Sequence, residues 1–202
     1  MNFLAHCRLA HPGDGFVAGG ILGDFVKGNI PESLPVELRA GVRLHRRIDS
    51  FSNRLPAMRG SANRFPPPLR RVAPVLLDIV ADHCLALAWP RYGVGNLGDF
   101  TDRVYAALGR YGDWVPARGR VFVQRMTETD LLARYTDLAV IHRAMEHVLD
   151  RLKARHLGPE VAEVLNNSLA TLTRDFDVYF PQLVEFVRAE RSVAAHWAKT
   201  TT

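Results

Sequence analysis

The chain has 202 residues, which is enough for one domain with a substantial buried core. Hydrophobic residues make up 48% of the chain and charged residues 23%, and this composition excludes an intrinsically disordered protein. The formal net charge of +5 favours acidic partners. Because the basic residues are scattered and are not interleaved with aromatic residues, the sequence argues against a dedicated nucleic-acid-binding protein.

Helical periodicity runs through nearly the whole chain, and no segment shows the alternation of apolar and polar residues that is typical of strands. The predicted helices span residues 2–10, 14–27, 35–54, 56–64, 69–90, 97–109, 120–134, 137–153 and 159–190. Segments rich in glycine and proline separate them, and Pro181 is expected to kink or split the last helix. We therefore predict an all-α, single-domain multi-helix bundle over residues 1–197, followed by a disordered tail at 198–202.

No apolar run reaches the ~18 residues that a membrane-spanning helix needs. The N-terminal segment MNFLAHCRLAH lacks the basic start and the long apolar block of a secretory signal, so we expect a cytoplasmic protein. Cys7 and Cys84 have no CxxC spacing, and each follows a histidine. We interpret them as small, buried, reduced side chains, in preference to a disulfide or a zinc site.

Polar residues interrupt the apolar face of the helix predicted at 69–90. Residues three, four and seven apart share a helical face, so Asp78 and Asp82 lie on the same stripe as Val75, Leu85 and Trp89. Two carboxylates at this spacing repel each other, and burial against a core removes their hydration. A bound cation, or arginine partners, would compensate for this cost.

The same irregularity recurs in three other predicted helices, where apolar stripes lead to an imidazole or a carboxylate. The polar members are Asn2, His6, Asp24, His45 and Asp49. A single inward histidine is more often a hydrogen-bonded core residue than a ligand, but a helical bundle can bring four such positions together. Imidazole and carboxylate groups together suit Mn²⁺, Fe²⁺, Mg²⁺ or Zn²⁺. The sequence therefore predicts an interior metal site, with ion pairs to arginine as the open alternative.

Several segments together resemble the acyl carrier protein phosphodiesterase family, also called acyl carrier protein hydrolase. They are MNFLAH at 1–6, GGILGDFVKGN at 19–29, HRRID at 45–49 and RRVAPVLLDIVADHCLALAW at 70–89. A fainter likeness continues through RYTDLAVI at 134–141 and FPQLVEF at 180–186. Each segment is short, but their order and spacing resemble a full-length member of the family.

The resemblance implies an all-helical fold related to the HD-type metal phosphohydrolases. It also implies hydrolysis of holo acyl carrier protein to apo acyl carrier protein and 4′-phosphopantetheine, with a divalent cation, typically Mn²⁺. This chain departs from the usual HD pattern, because the adjacent pair reads Asp82–His83 instead of His–Asp. The order of the motif therefore does not by itself identify the metal ligands.

We combine the periodicity and the resemblance into a set of expected metal ligands. His45, Asp82 and His83 are expected to bind the metal, and Asp24 and Asp78 to act as further ligands or to support them. A divalent cation so placed would polarise a phosphoryl oxygen and activate a water molecule.

Four residues are expected to take part in catalysis: His6, Asp24, Asp49 and Asp78. Asp49 lies one helical turn from His45 and is expected to hold the tautomer of that imidazole. His6 is expected to be either a ligand or the acid that protonates the leaving serine oxygen.

Basic residues near the predicted ligands are expected to bind substrate. Arg46 and Arg47 follow His45, and Lys27 follows Asp24 closely. The planar arginine side chain suits a phosphate or an acidic helix. Carrier proteins are strongly acidic, so the positive net charge fits electrostatic docking of that protein substrate.

Two other functions remain compatible with these patterns. The same metal site could act on a nucleotide or another small phosphodiester. Alternatively, the chain could be a non-catalytic helical interaction protein in which inward aspartates and histidines form ion pairs with arginines. The candidate arginines for such pairs are Arg43, Arg46, Arg70 and Arg71.

Overall fold

The computed structural model describes residues 2–200, and the side chains of residues 2–192. Over this part, the chain forms a single all-α domain, as predicted. Its helices are α1 (Phe3–Ala10), α2 (Asp14–Leu22), α3 (Val36–Ser52), α4 (Pro56–Asn63), α5 (Ala73–Leu87), α6 (Trp89–Tyr92), α7 (Leu97–Arg110), α8 (Ala117–Glu128), α9 (Leu138–Arg151) and α10 (Gly158–Thr200). Short 3-10 turns lie at Pro67–Leu69, Gly112–Trp114, Ala133–Thr136 and Arg155–Leu157.

The helix predicted at 14–27 ends five residues early, because α2 stops at Leu22. The chain then turns through Gly23 and Asp24, and the backbone N–H of Val26 donates to the carbonyl of Leu22 at 2.9 Å. Glycine is a weak helix former, so the glycine-rich sequence of α2 favours an early end. Asp24 consequently lies in a turn after α2. The direction of its side chain is therefore not set by the apolar face of that helix.

The helix predicted at 69–90 is shorter in the structure and is followed by a separate helix. Pro74 occupies the first turn of α5, and Pro90 the first turn of α6. Proline lacks a backbone N–H, so it fits the first turn of a helix and disrupts a helix interior. The helix predicted at 120–134 likewise starts at Ala117 and ends at Glu128.

Helix α10 is continuous for 43 residues and is not split at Pro181. Phe176 and Phe180 before the proline, and Leu183 after it, are fully buried, so the core holds both halves in line. The expected tail overlaps the end of this helix at 198–200, and residues 201 and 202 lie outside the described residues. Among the described residues, no helix is both long and apolar enough to cross a membrane.

Helix α5 forms the centre of the core and packs against α1, α4, α9 and α10. Eleven of its fifteen residues are buried, so it is apolar on nearly every side. A helix that is buried all round shows no single apolar face. The periodicity of this segment therefore gives little information about the direction in which each polar side chain lies.

Helices α2 and α3 cross with their backbones in close contact. A Cβ atom added to Gly19 would lie 2.6 Å from backbone atoms of Gly41, and one added to Gly41 would lie 2.6 Å from the carbonyl oxygen of Gly15. Only glycine permits this approach. The contact brings the end of α2 against the middle of α3, next to His45.

Candidate functional site

Three side chains from two helices form a compact group at the junction of α1 and α3. His6 comes from α1, while His45 and Asp49 lie one turn apart on α3. His6 Nε2 is 3.0 Å from Asp49 Oδ1, and His45 Nε2 is 3.3 Å from Asp49 Oδ2. Among the described residues, these three form a group whose ligand atoms all lie within 4.8 Å of one another. We refer to them as the His-His-Asp trio.

The tautomer of His45 is set by the backbone of α2. Its Nδ1 lies 2.8 Å from the carbonyl oxygen of Gly20, and a carbonyl only accepts, so Nδ1 carries the proton and donates it. In a neutral ring, the lone pair of Nε2 then faces the carboxylate of Asp49. Two acceptors at this distance need a proton or a cation between them. A ligating histidine is commonly held in this way by a carbonyl behind it.

His6 is fully buried, and its ring stacks on that of His45 with centroids 3.9 Å apart. Burial, together with the neighbouring His45, lowers the pKa of His6 to about 3, so this ring is neutral at pH 7. Its Nδ1 is buried and has no hydrogen-bond partner among the described residues. A neutral imidazole is the form in which histidine binds a metal.

Asp49 supplies the negative charge of the trio. Burial alone would raise the pKa of Asp49, but the hydrogen bonds with His45 and His6 outweigh it and hold this pKa well below its usual range. Neighbouring ligands at ~2.1 Å from one ion are ~3.0–3.4 Å apart, which agrees with the observed 3.0 and 3.3 Å separations. The trio therefore fits a divalent cation.

A cavity of about 240 Å³ leads to the trio from the surface. Its wall consists of Gly23, Asp24, Val26, Lys27, Gly28, His45, Arg46 and Asp49. Burial raises the pKa of Asp24, and the adjacent His45 partly offsets that shift. The cavity thus joins the trio to a further carboxylate and two basic side chains. A larger groove of about 460 Å³, between α1 and α10, contains none of the trio.

Asp78 is a third carboxylate close to this site. Burial raises its pKa, and the charges of Asp49 and Asp24 add to the shift. Asp78 is thus within electrostatic reach of both aspartates, although it comes from α5. Asp24 lines the cavity with Asp49 and His45, whereas the role expected of Asp78 at the site stays a prediction.

The structure does not place Asp82 in the trio, contrary to the expected ligand set. Asp82 is fully buried, its Oδ2 accepts from the N–H of Leu4 at 2.9 Å, and its Oδ1 accepts from the N–H of Ala5 at 2.8 Å. Burial raises the pKa of Asp82 to about 7 despite these two bonds. Both oxygens thus cap the first turn of α1, which Asn2 leaves without a side-chain cap. Through α1, Asp82 positions His6.

His83 is also outside the trio. It is buried, and its Nδ1 hydrogen-bonds with the carbonyl oxygen of Tyr135 at 2.7 Å. Adjacent residues of a helix lie about 100° apart, so Asp82 and His83 meet different neighbours of α5. Cys7 and Cys84 are buried free thiols, as expected.

The three predicted substrate-binding residues divide between two places. Lys27 and Arg46 line the cavity, and Arg46 Nη2 donates to the carbonyl of Val26 at 2.8 Å. Arg47 instead donates to Glu190 of α10 at 2.6 Å, and its side chain is 60% exposed. Adjacent residues on α3 therefore have different surroundings.

Gly20 and Gly23 are site residues that the sequence analysis did not single out. Gly20 holds His45 through its carbonyl, and a Cβ atom on Gly23 would lie 2.3 Å from the His45 ring. The only available signal was the glycine-rich segment GGILGD before Asp24. A glycine before a candidate ligand can mark a close approach of another side chain.

Proteins named acyl carrier protein phosphodiesterase, from the Escherichia coli strains Crooks, SMS-3-5 and 55989, are each 46% identical to this chain over 89 residues. The matched segment covers 44% of this chain and 46% of each relative, so the chain spans less than half the length of these relatives. No solved structure matches the chain. The profile of acyl carrier protein phosphodiesterases matches residues 1–183. Because that match covers most of the chain, this chain belongs to the acyl carrier protein phosphodiesterase family.

Proposed function

We propose that this chain is a metal-dependent phosphodiesterase of the cytoplasm. Its reaction is the hydrolysis of holo acyl carrier protein to apo acyl carrier protein and 4′-phosphopantetheine. The observation that carries this proposal is the His-His-Asp trio at the end of a cavity walled by Lys27 and Arg46. Family membership and the names of the relatives support the choice of substrate.

His6, His45 and Asp49 are the residues that would hold the cation. Two imidazoles and one carboxylate are compatible with Zn²⁺ and Fe²⁺ as well as Mn²⁺ and Mg²⁺, and we choose Mn²⁺ because the resemblance to the family implies it. When bound, the cation supplies positive charge that polarises a phosphoryl oxygen and activates a water molecule. The carbonyl of Gly20 keeps His45 in the tautomer whose Nε2 lone pair is available to the ion.

Lys27 and Arg46 bind the phosphodiester in this proposal. The substrate carries one negative charge, and both side chains are on the cavity wall. The bond from Arg46 to the carbonyl of Val26 holds its guanidinium against the loop at 23–28, so the side chain is pre-positioned. Arg47 is paired with Glu190 and has no part in phosphate binding in this scheme.

We assign proton transfer to the leaving serine oxygen to Asp24. It is the carboxylate of the cavity wall outside the trio, and it is half-buried. His6, the other candidate for this role, is fully buried and belongs to the trio, so we assign it as a ligand. We give Asp78 a supporting role, because it interacts electrostatically with Asp49 and Asp24.

The alternative of a non-catalytic protein with internal arginine pairs is less well supported. Asp49 hydrogen-bonds to two histidines, Asp82 accepts from backbone N–H groups, and Arg46 donates to a backbone carbonyl. The alternative of a small phosphodiester as substrate shares the same trio and cavity. Only a comparison of substrates separates it from the proposal.

The proposal is tested by incubating the full chain with Mn²⁺ and holo carrier protein and then measuring the mass of the carrier. We expect a loss of ~340 Da, the size of a phosphopantetheinyl group. Treatment with EDTA, or the substitution Asp49→Ala, should prevent the loss. An unchanged carrier mass with metal-loaded protein that cleaves a small phosphodiester would favour the alternative substrate class.

A further inference from the structure

Helix α8 has a largely uncovered face. Of its twelve residues, Gly119 and Met126 are buried, and Phe122 is half-buried. Val121, on the opposite side, is 63% exposed. Within the part of the chain whose side chains are described, no element covers this face. A single exposed valine is common on protein surfaces, so a partner on this face would have to be recognised mainly by charge.

The buried side of α8 packs directly against the wall of the cavity. The Phe122 ring lies 4.9 Å from that of Phe3 and 5.7 Å from that of Phe25, measured between centroids. Gly119 also lies against Phe25, because an added Cβ atom would be 2.9 Å from its ring. Phe25 follows Asp24 in the turn that forms the cavity wall. Helix α8 is therefore a neighbour of the candidate site.

A basic stripe on α8 begins at this wall. Arg118, Val121 and Arg125 are three and four residues apart, so they share one side of the helix. The guanidinium of Arg118 donates to the carbonyl oxygen of Phe25, which places this end of the stripe beside the cavity. All three side chains are exposed. Helix α8 carries three arginines against one glutamate.

We propose that the Arg118–Val121–Arg125 stripe docks an acidic amphipathic helix of the protein substrate. Carboxylates at matching helical spacing would pair with the arginines, while an apolar side chain between them meets Val121. Charge complementarity of this kind mainly sets the association rate and the orientation of the partner. A partner held on α8 lies next to Lys27 and Arg46, where its modified serine can reach the cavity. The inference rests on the proposed function, which supplies the acidic partner.

The stripe is tested with Arg125→Glu and with the neutral variant Arg125→Gln. Arg118 is unsuitable, because its bond to Phe25 also holds the cavity wall. The matched control is Arg143→Glu, a charge reversal at an exposed arginine of α9. Two quantities are measured with metal-loaded full-length protein. The first is the affinity for apo carrier protein. The second is the kcat/KM ratio, defined as kcat/KM for holo carrier protein divided by kcat/KM for the small diester bis(p-nitrophenyl) phosphate.

We expect Arg125→Glu to weaken binding of apo carrier protein and to lower the kcat/KM ratio by about tenfold, with a smaller effect of Arg125→Gln. Arg143→Glu should leave both quantities unchanged. Equal effects of Arg125→Glu and Arg143→Glu, or no binding of apo carrier protein by the wild type, would overturn the docking surface. Binding that weakens in Arg125→Glu, without cleavage of holo carrier protein by the wild type, would support the surface and refute the proposed function.

Discussion

The imidazole rings of His6 and His45 stack 3.9 Å apart, although they belong to different helices. His45 already donates its Nδ1 proton to the carbonyl of Gly20, so a second proton on its Nε2 would give this ring a positive charge beside the stacked His6 ring. Both Nε2 atoms nevertheless lie within 3.3 Å of the Asp49 carboxylate. A single divalent cation satisfies both nitrogen lone pairs and the carboxylate at once, and this leads to the first prediction.

Replacing His45 with alanine should weaken Mn²⁺ binding by at least about 100-fold, because it removes one of three donors and its supporting carbonyl contact. Titration calorimetry of metal-free protein with Mn²⁺ measures the effect. His147→Ala, at an exposed position of α9, is the control and should bind Mn²⁺ like the wild type. Retention of wild-type affinity in His45→Ala would remove the trio as the metal site.

Gly23→Ala should disturb the site from outside the trio. The new Cβ atom would lie 2.3 Å from Cγ of His45, so the ring or the turn must shift. We expect the free energy of unfolding to fall by about 1–3 kcal/mol and Mn²⁺ affinity to fall by about tenfold. Gly60→Ala, in open space on α4, should instead stabilise by about 0.5–1 kcal/mol. Denaturant unfolding and Mn²⁺ titration of both variants check this contrast.

Asp82→Asn separates a capping role from a ligand role. An amide retains one acceptor oxygen but directs its NH₂ group at the second backbone donor of α1, so we expect a loss of about 2 kcal/mol in unfolding free energy. One equivalent of Mn²⁺ should still bind, with lower affinity because His6 is less well held. Complete loss of Mn²⁺ binding at unchanged stability would show instead that Asp82 is a ligand. Asp102→Asn, at an exposed position of α7, is the control for stability.

The neighbouring arginines of α3 should differ in their effect on activity. Arg46→Ala removes a cation from the cavity wall, and we expect kcat/KM to fall by about 10- to 100-fold for both carrier protein and a small phosphodiester. Arg47→Ala removes only an exposed pair with Glu190, so kcat/KM should stay within about twofold. Similar losses in both variants would argue against the assigned phosphate contact.

The pair between Arg64 and Asp175 should make a pH-dependent contribution to stability. Although burial acts to raise the pKa of Asp175, the bonds from Arg64 and Ser61 outweigh it and lower this pKa. The stabilisation is therefore present above the pKa of an unfolded aspartate, near 4, and is lost as pH falls through the lower folded pKa.

Because 38% of the Arg64 side chain is solvent-exposed, water screens the pair and the contribution should be only about 0.5–1 kcal/mol. Urea unfolding of the wild type and of Asp175→Asn should differ by this amount at pH 7. The difference should shrink as the pH falls below about 4 and should vanish below the lowered folded pKa, where the carboxyl is protonated in both states. A difference that is constant across this range would show that the charge of Asp175 contributes nothing.

The candidate site was partly predictable because its polar residues interrupt apolar stripes. His6, Asp24, His45 and Asp49 were identified in this way, and the structure places all of them at the trio or the cavity wall. The pattern was less informative on α5, where Asp82 caps α1 and lies outside the trio. A helix that is buried on every side offers several inward directions, and periodicity cannot distinguish them.

By itself, the sequence determined the helical class, because local periodicity and helix breakers act over a few residues. It also determined which chemical groups are available as ligands. Only the tertiary structure decided which of them meet, since His6 and Asp49 are 43 residues apart along the chain. The approach of α2 and α3 at Gly19 and Gly41 also lets the carbonyl of Gly20 reach His45, and such a long-range backbone contact leaves no periodic signal in the sequence.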